Sequence, residues 1–150
     1  MLRAILAGGL SAGILDLTSA LVLYGSRGTA LIRIPQSIAS GILGADAYRG
    51  GLLTAALGTL LHFVIAFSAA AVYCLASRRL PFLKDYAFVC GPTYGILVYL
   101  VMKLIVVPLS NAAIPNSRGP FPLDSVVEGL LVHVFLVGLP IAVCLHWWGD

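Results

Sequence analysis

The sequence predicts an all-α integral membrane protein, one bundle of four transmembrane helices with a short interfacial or re-entrant helix between the first and second. Two observations carry this expectation. Of the 150 residues, 60% are hydrophobic and only 10% are charged, with a mean hydropathy of +1.02. A soluble domain carries about 25% charged residues, so this chain cannot cover a water-facing surface, and its polar content is too low for disorder. The second observation is length: crossing the hydrocarbon takes about 20 mainly apolar residues. Four stretches reach that length, at about 2–24, 51–77, 86–109 and 124–148. The whole chain, 1–150, reads as a single transmembrane domain.

Each element has its own justification. The first span opens on Arg3 like a signal peptide, but Asp16 interrupts it and it exceeds the length of a signal's apolar region, which predicts a retained helix. The linker that follows is too polar to cross. Within it, Pro35 suits a first helical turn, and Ile38, Ile42 and Leu43 share a face. The segment at about 35–47 therefore reads as an amphipathic helix lying in or dipping into the membrane surface. The second span, 51–77, ends in a compact basic loop with Arg78, Arg79 and Lys84. The third and fourth spans carry Pro92 and Pro140, each of which removes a backbone hydrogen bond and bends its helix. Between them, Ser110–Pro122 holds Asn111, Pro115, Asn116, Gly119 and Pro120, the composition of an irregular connection. Trp147 and Trp148 close the last span as an interfacial aromatic pair.

The formal charge of +3 suits contact with anionic lipid. No basic stripe or aromatic platform accompanies it, so no nucleic acid is expected as a partner. Basic residues divide four and four between the two sides. The dense 78–84 loop tips the balance and predicts cytoplasmic termini. Helices in lipid associate through small residues rather than apolar area. Gly9/Gly13 and Gly91/Gly95 are GxxxG pairs, and Ala66 and Ala70 share that spacing. Besides the bilayer, the expected partner is a second copy docking on one of these glycine faces.

Well inside the spans lie Asp16, His62, Lys103, Glu128 and His133. Such groups are expensive in hydrocarbon and usually face protein. At a 1.5 Å rise per residue, Asp16, His62 and His133 lie roughly 20, 22 and 21 Å from the cytoplasmic boundary, one layer drawn from three helices. That layer has four readings: a proton or ion site, a divalent-metal site, a haem held between His62 and His133, or simple interhelical hydrogen bonding. Lys103 and Glu128 fall on a second layer, roughly 25–28 Å in. They read as an ion pair or as two side chains snorkelling separately.

Cys74, Cys90 and Cys144, with His146, share one shallow depth near the cytoplasmic face. They are the right ligand types for zinc, although cysteine is also a common small buried residue and no CxxC spacing is present. Phosphate-loop, nucleophile-elbow, metalloprotease and dinucleotide motifs are all missing, so no residue set argues for an enzyme.

Three stretches, Ala12-Gly13-Ile14-Leu15-Asp16, Leu61–Phe67 and His133–Ile141, resemble small bacterial inner-membrane proteins of the YagU-like kind. That resemblance implies a bacterial inner-membrane location and assigns no activity or catalytic residue. The leading expectation is a small transport or permeation protein using Asp16, His62 and His133, with Lys103/Glu128 as a gate or brace. The rivals are a haem- or metal-binding redox protein and an accessory subunit of a membrane complex. No cofactor is demanded; those the residues could take are haem or a divalent metal.

Overall fold

The computed structural model describes residues 1–112 and 123–149. Every regular element among the described residues is helical. They run as α1 (Leu2–Ser26), α2 (Arg33–Leu43), a 3-10 segment (Gly44–Arg49), α3 (Gly51–Ser77), α4 (Phe82–Asp85), α5 (Ala87–Leu109) and α6 (Leu123–Trp148). Four of them, α1, α3, α5 and α6, are long and apolar enough to cross a membrane. The second span has the expected bounds, and the others shift by one or two residues. Most of the expected 110–122 connection lies outside the described residues.

The spans form an arc rather than a ring. In space α3 lies beside α1, α1 beside α6, and α6 beside α5. The amino group of Met1 approaches the Trp148 carbonyl at 3.5 Å, so both termini share one end of the bundle. The other end is the α2 end.

Glycines close the seams of the arc. On α1, Gly9 meets Phe67 and Gly13 meets Phe63 and Ala66 of α3, while Gly8 lies against Ile141 of α6. The α5–α6 seam is tighter. A methyl group on Gly138 would collide with the Gly91 carbonyl and the Gly95 amide, backbone against backbone. Both GxxxG faces are therefore filled within the chain. The core itself is small-sided, with Ala4, Ala12, Ala70 and Ala142 buried around Tyr73, Ile141 and Leu145. Large apolar side chains such as Leu53, Phe88 and Leu109 point outward, as lipid-facing residues should, since lipid offers no drive to bury them.

Two spans change helical register. Residues Met102–Val106 of α5 and His133–Gly138 of α6 are π-helical. Each π segment stops two residues before a proline, Pro108 and Pro140. Proline lacks the N–H that the preceding turn would use, and a shift to i→i+5 bonding relocates the mismatch within that turn. Pro92 sits in regular α-helix without such a shift.

The short helix α2 packs on α3. Gly58 makes room for the Pro35 carbonyl. The buried face of α2 carries Ile34, Gln36, Ala39 and Ser40. Gln36 donates to the Gly51 carbonyl at 3.0 Å and to Thr54 Oγ1 at 3.3 Å, and Thr54 donates to the Ala47 carbonyl at 2.6 Å. Ile42 and Leu43 point away from the protein. The far end of α2 is fastened to the end of α5, where Asn111 donates from its backbone N–H to the Gly41 carbonyl and from its side chain to Ile42.

Candidate functional site

Because α3 and α5 are the two ends of the arc, they do not close on each other. A cleft of about 340 Å³ lies between them, backed by α1 and α6 and capped by Ile38 of α2. Asp16, His62, Lys103 and His133 all line it. The three residues matched by depth in the sequence are thus brought to one space, and Lys103 joins them. Asp16 lies ten residues inside the α2 end of its helix, about 15 Å at 1.5 Å per residue, which is mid-membrane.

His62 is the best-defined member. Its Nε2 lies 2.9 Å from the Gly13 carbonyl, and its Nδ1 lies 3.9 Å from Asp16 Oδ2. A carbonyl can only accept, so the hydrogen sits on Nε2 and Nδ1 is the nitrogen that faces the carboxylate. A proton placed between Nδ1 and Oδ2 has an acceptor on either side. The two side chains are only 12% and 25% exposed. Gly13 makes the geometry possible, because a side chain there would fill the space in front of the Phe63 ring, one residue from His62.

His133 and Lys103 reach the cleft from the two π segments. His133 opens the one in α6. Its Nδ1 donates to the Gly129 carbonyl at 2.9 Å, and Tyr99 packs edge-on to its ring at 5.4 Å. Lys103 belongs to the one in α5. π turns recur at functional sites because they re-aim side chains, and both of these point ionisable groups at the same cavity.

A second hollow of about 190 Å³ runs between α1 and α6. It shares Asp16, Tyr24 and His133 with the cleft and continues past Ser19 and Ser125 to Glu128. There Arg27, just beyond the end of α1, binds Glu128 through both guanidinium nitrogens, one at 3.0 Å. The carboxylate beside it holds the Arg27 guanidinium above its ordinary value. A polar route thus leads from an ion pair at the α2 end to the mid-membrane histidines.

Glu128 takes Arg27 as its partner rather than Lys103, which faces the cleft instead. Among the described residues no group of three or more His, Cys, Asp or Glu is placed to hold a metal ion. His62 Nε2 bonds the Gly13 carbonyl at 2.9 Å, and its Nδ1 faces the Asp16 carboxylate at 3.9 Å. At the shallow level, Cys74 and Cys144 are buried, Cys90 Sγ lies 3.8 Å from the Phe82 carbonyl, and His146 Nδ1 bonds the Lys84 carbonyl at 2.8 Å. Arg27 was missed as a site residue, although it is the first charge beyond span one, at the end where Glu128 begins span four. No family model, curated protein or solved structure matches the chain.

Proposed function

We propose that this is a multi-pass protein of the bacterial inner membrane, with both termini in the cytoplasm, that passes protons or a small ion from the α2 end to a site formed by Asp16, His62 and His133. The observation that carries the proposal is the Asp16–His62 pair, 3.9 Å apart at mid-membrane with its proton-accepting atoms facing one another. Imidazole exchanges protons near neutral pH and a carboxylate neighbour holds the incoming charge. The hollow from Arg27–Glu128 past Ser19 supplies a polar approach. The basic 78–84 loop at the termini end supports the orientation.

The test is proton flux in liposomes loaded with a pH-sensitive dye and driven by a potassium gradient with valinomycin. The wild-type protein is expected to raise the flux above that of empty liposomes. Asp16→Asn and His62→Gln are each expected to lower it at least tenfold while leaving the helical content unchanged.

A second reading, an accessory subunit whose polar groups only fix packing, is favoured by the His62–Gly13 bond, which ties α3 to α1. It predicts the opposite pattern: no flux from the wild type, and lowered thermal stability in His62→Gln.

A further inference from the structure

The gap between α3 and α5 does not end at the polar cleft. Two more hollows, of about 320 and 480 Å³, continue it toward the termini end. The first shares Ala69 and Met102 with the cleft, and the second shares Val72, Tyr94 and Leu97 with the first. Together they make one crevice, about 20 Å long from Lys103 to Cys90 at 1.5 Å per residue. That exceeds the roughly 15 Å that one leaflet's chains fill in a 30 Å hydrocarbon core.

The crevice presents hydrocarbon along its length. Its polar groups are spent on protein carbonyls: Ser68 donates to Val64, Thr93 to Val89 and Tyr73 to Leu83, while Tyr94 of α5 reaches across to Ala69 of α3. It lies at the open side of the arc, flanked by the exposed Val72 and Leu97, so it faces the bilayer laterally. Only its α2 end is polar. There the Asp16 carboxylate faces His62, and Lys103 and His133 line the same cavity. An apolar trough that ends on a cation complements a molecule with a hydrocarbon chain and an anionic head.

We propose that the crevice binds a long-chain carboxylate drawn from the surrounding bilayer, with its chain along α3 and α5 and its head at Lys103. This rests on the reading of the Asp16–His62 cleft as a transport site, and it adds a bilayer ligand beside the proton or small ion that the site passes.

The experiment uses the full chain in phosphatidylcholine liposomes with palmitate bearing a mid-chain photoreactive diazirine. Crosslinks mapped by mass spectrometry are expected at Ala69, Val72 and Leu97. Ala69→Trp should cut labelling at least tenfold. Lys103→Gln should weaken binding about tenfold, and the matching long-chain alcohol should compete at least tenfold less well than palmitate. Leu6→Trp, on the outward face of α1, should leave labelling unchanged. Labelling spread evenly over α1 and α6, or retained in Ala69→Trp with wild-type helical content, overturns the proposal. If Ala69→Trp fails to fold, Val72→Trp at the exposed lip of the same crevice decides in its place. Proton flux without crevice labelling removes this inference and leaves the transport reading standing. Crevice labelling without flux does the reverse.

Discussion

The α5–α6 seam and the α3–α5 gap are made from equally apolar helices, yet one is shut and the other open. On the seam, Gly91, Gly95 and Gly138 bring two backbones into direct contact. Across the gap, Tyr73 and Tyr94 pack with ring centroids 4.8 Å apart and planes tilted by 50°, and the Tyr94 hydroxyl reaches the Ala69 carbonyl at 2.8 Å. Those rings prop the helices apart as much as they join them. Surrounded by lipid, neither face gains from burying apolar area. Side-chain size therefore decides which helix pairs close, and the absence of a glycine seam between α3 and α5 is what creates the cavity.

Substitutions along the two regions should separate them cleanly. The largest effect is expected from Gly138→Ala, where the added methyl meets backbone on the facing helix. Overpacking against atoms that cannot swing away costs roughly 2 kcal/mol or more, even after the helix-propensity gain of about 1 kcal/mol. Unfolding by sodium dodecyl sulfate in mixed micelles would measure it, and a wild-type midpoint would show that the seam is not rigid. Gly13→Ala tests the softer α1–α3 seam. Its methyl would lie 2.6 Å from the Phe63 ring, a side chain that can rotate. Strain and propensity then offset one another to within about 1 kcal/mol, and proton flux should fall more than stability, because Gly13 also holds His62. The smallest effect belongs to Leu97→Ala in the gap. Leu97 is 54% exposed, so its loss should stay within about 0.5 kcal/mol on the same titration.

Much of this architecture is legible in the sequence, and the failures have a common physical cause. The spans follow from length and hydropathy, and Gly51–Ser77 is found at its expected bounds. Depth is legible as well: counting residues along three helices put Asp16, His62 and His133 on one level, and they do meet at one cleft. Rotation about the helix axis is not legible by counting. Lys103 and Glu128 share a level, but α5 turns Lys103 toward the gap while α6 turns Glu128 toward the end of α1 and Arg27. The π segments compound this, since an extra residue per turn rotates everything beyond it. Pro140 was a visible signal for one of them, and Pro108, two residues beyond the other, went unread. The helix of the amphipathic segment is found as α2, but of the three residues expected on one face only Ile42 and Leu43 point outward, while Ile38 caps the cleft. The inward face of α2 is mixed, with Gln36 and Ser40 buried beside Ile34 and Ala39.

The fastening of α2 sets an order of assembly. Its last carbonyls, at Gly41 and Ile42, are capped by Asn111, a residue 69 positions beyond Ile42 in the chain. During synthesis α1, α2 and α3 emerge long before that cap exists, and unpaired carbonyls at the end of a helix are costly away from water. The foot of α2 must therefore wait at the hydrated membrane surface until the third span has been inserted. A ribosome-bound chain stopped short of Asn111 should accordingly leave Gly44 open to protease, and one extended past it should not.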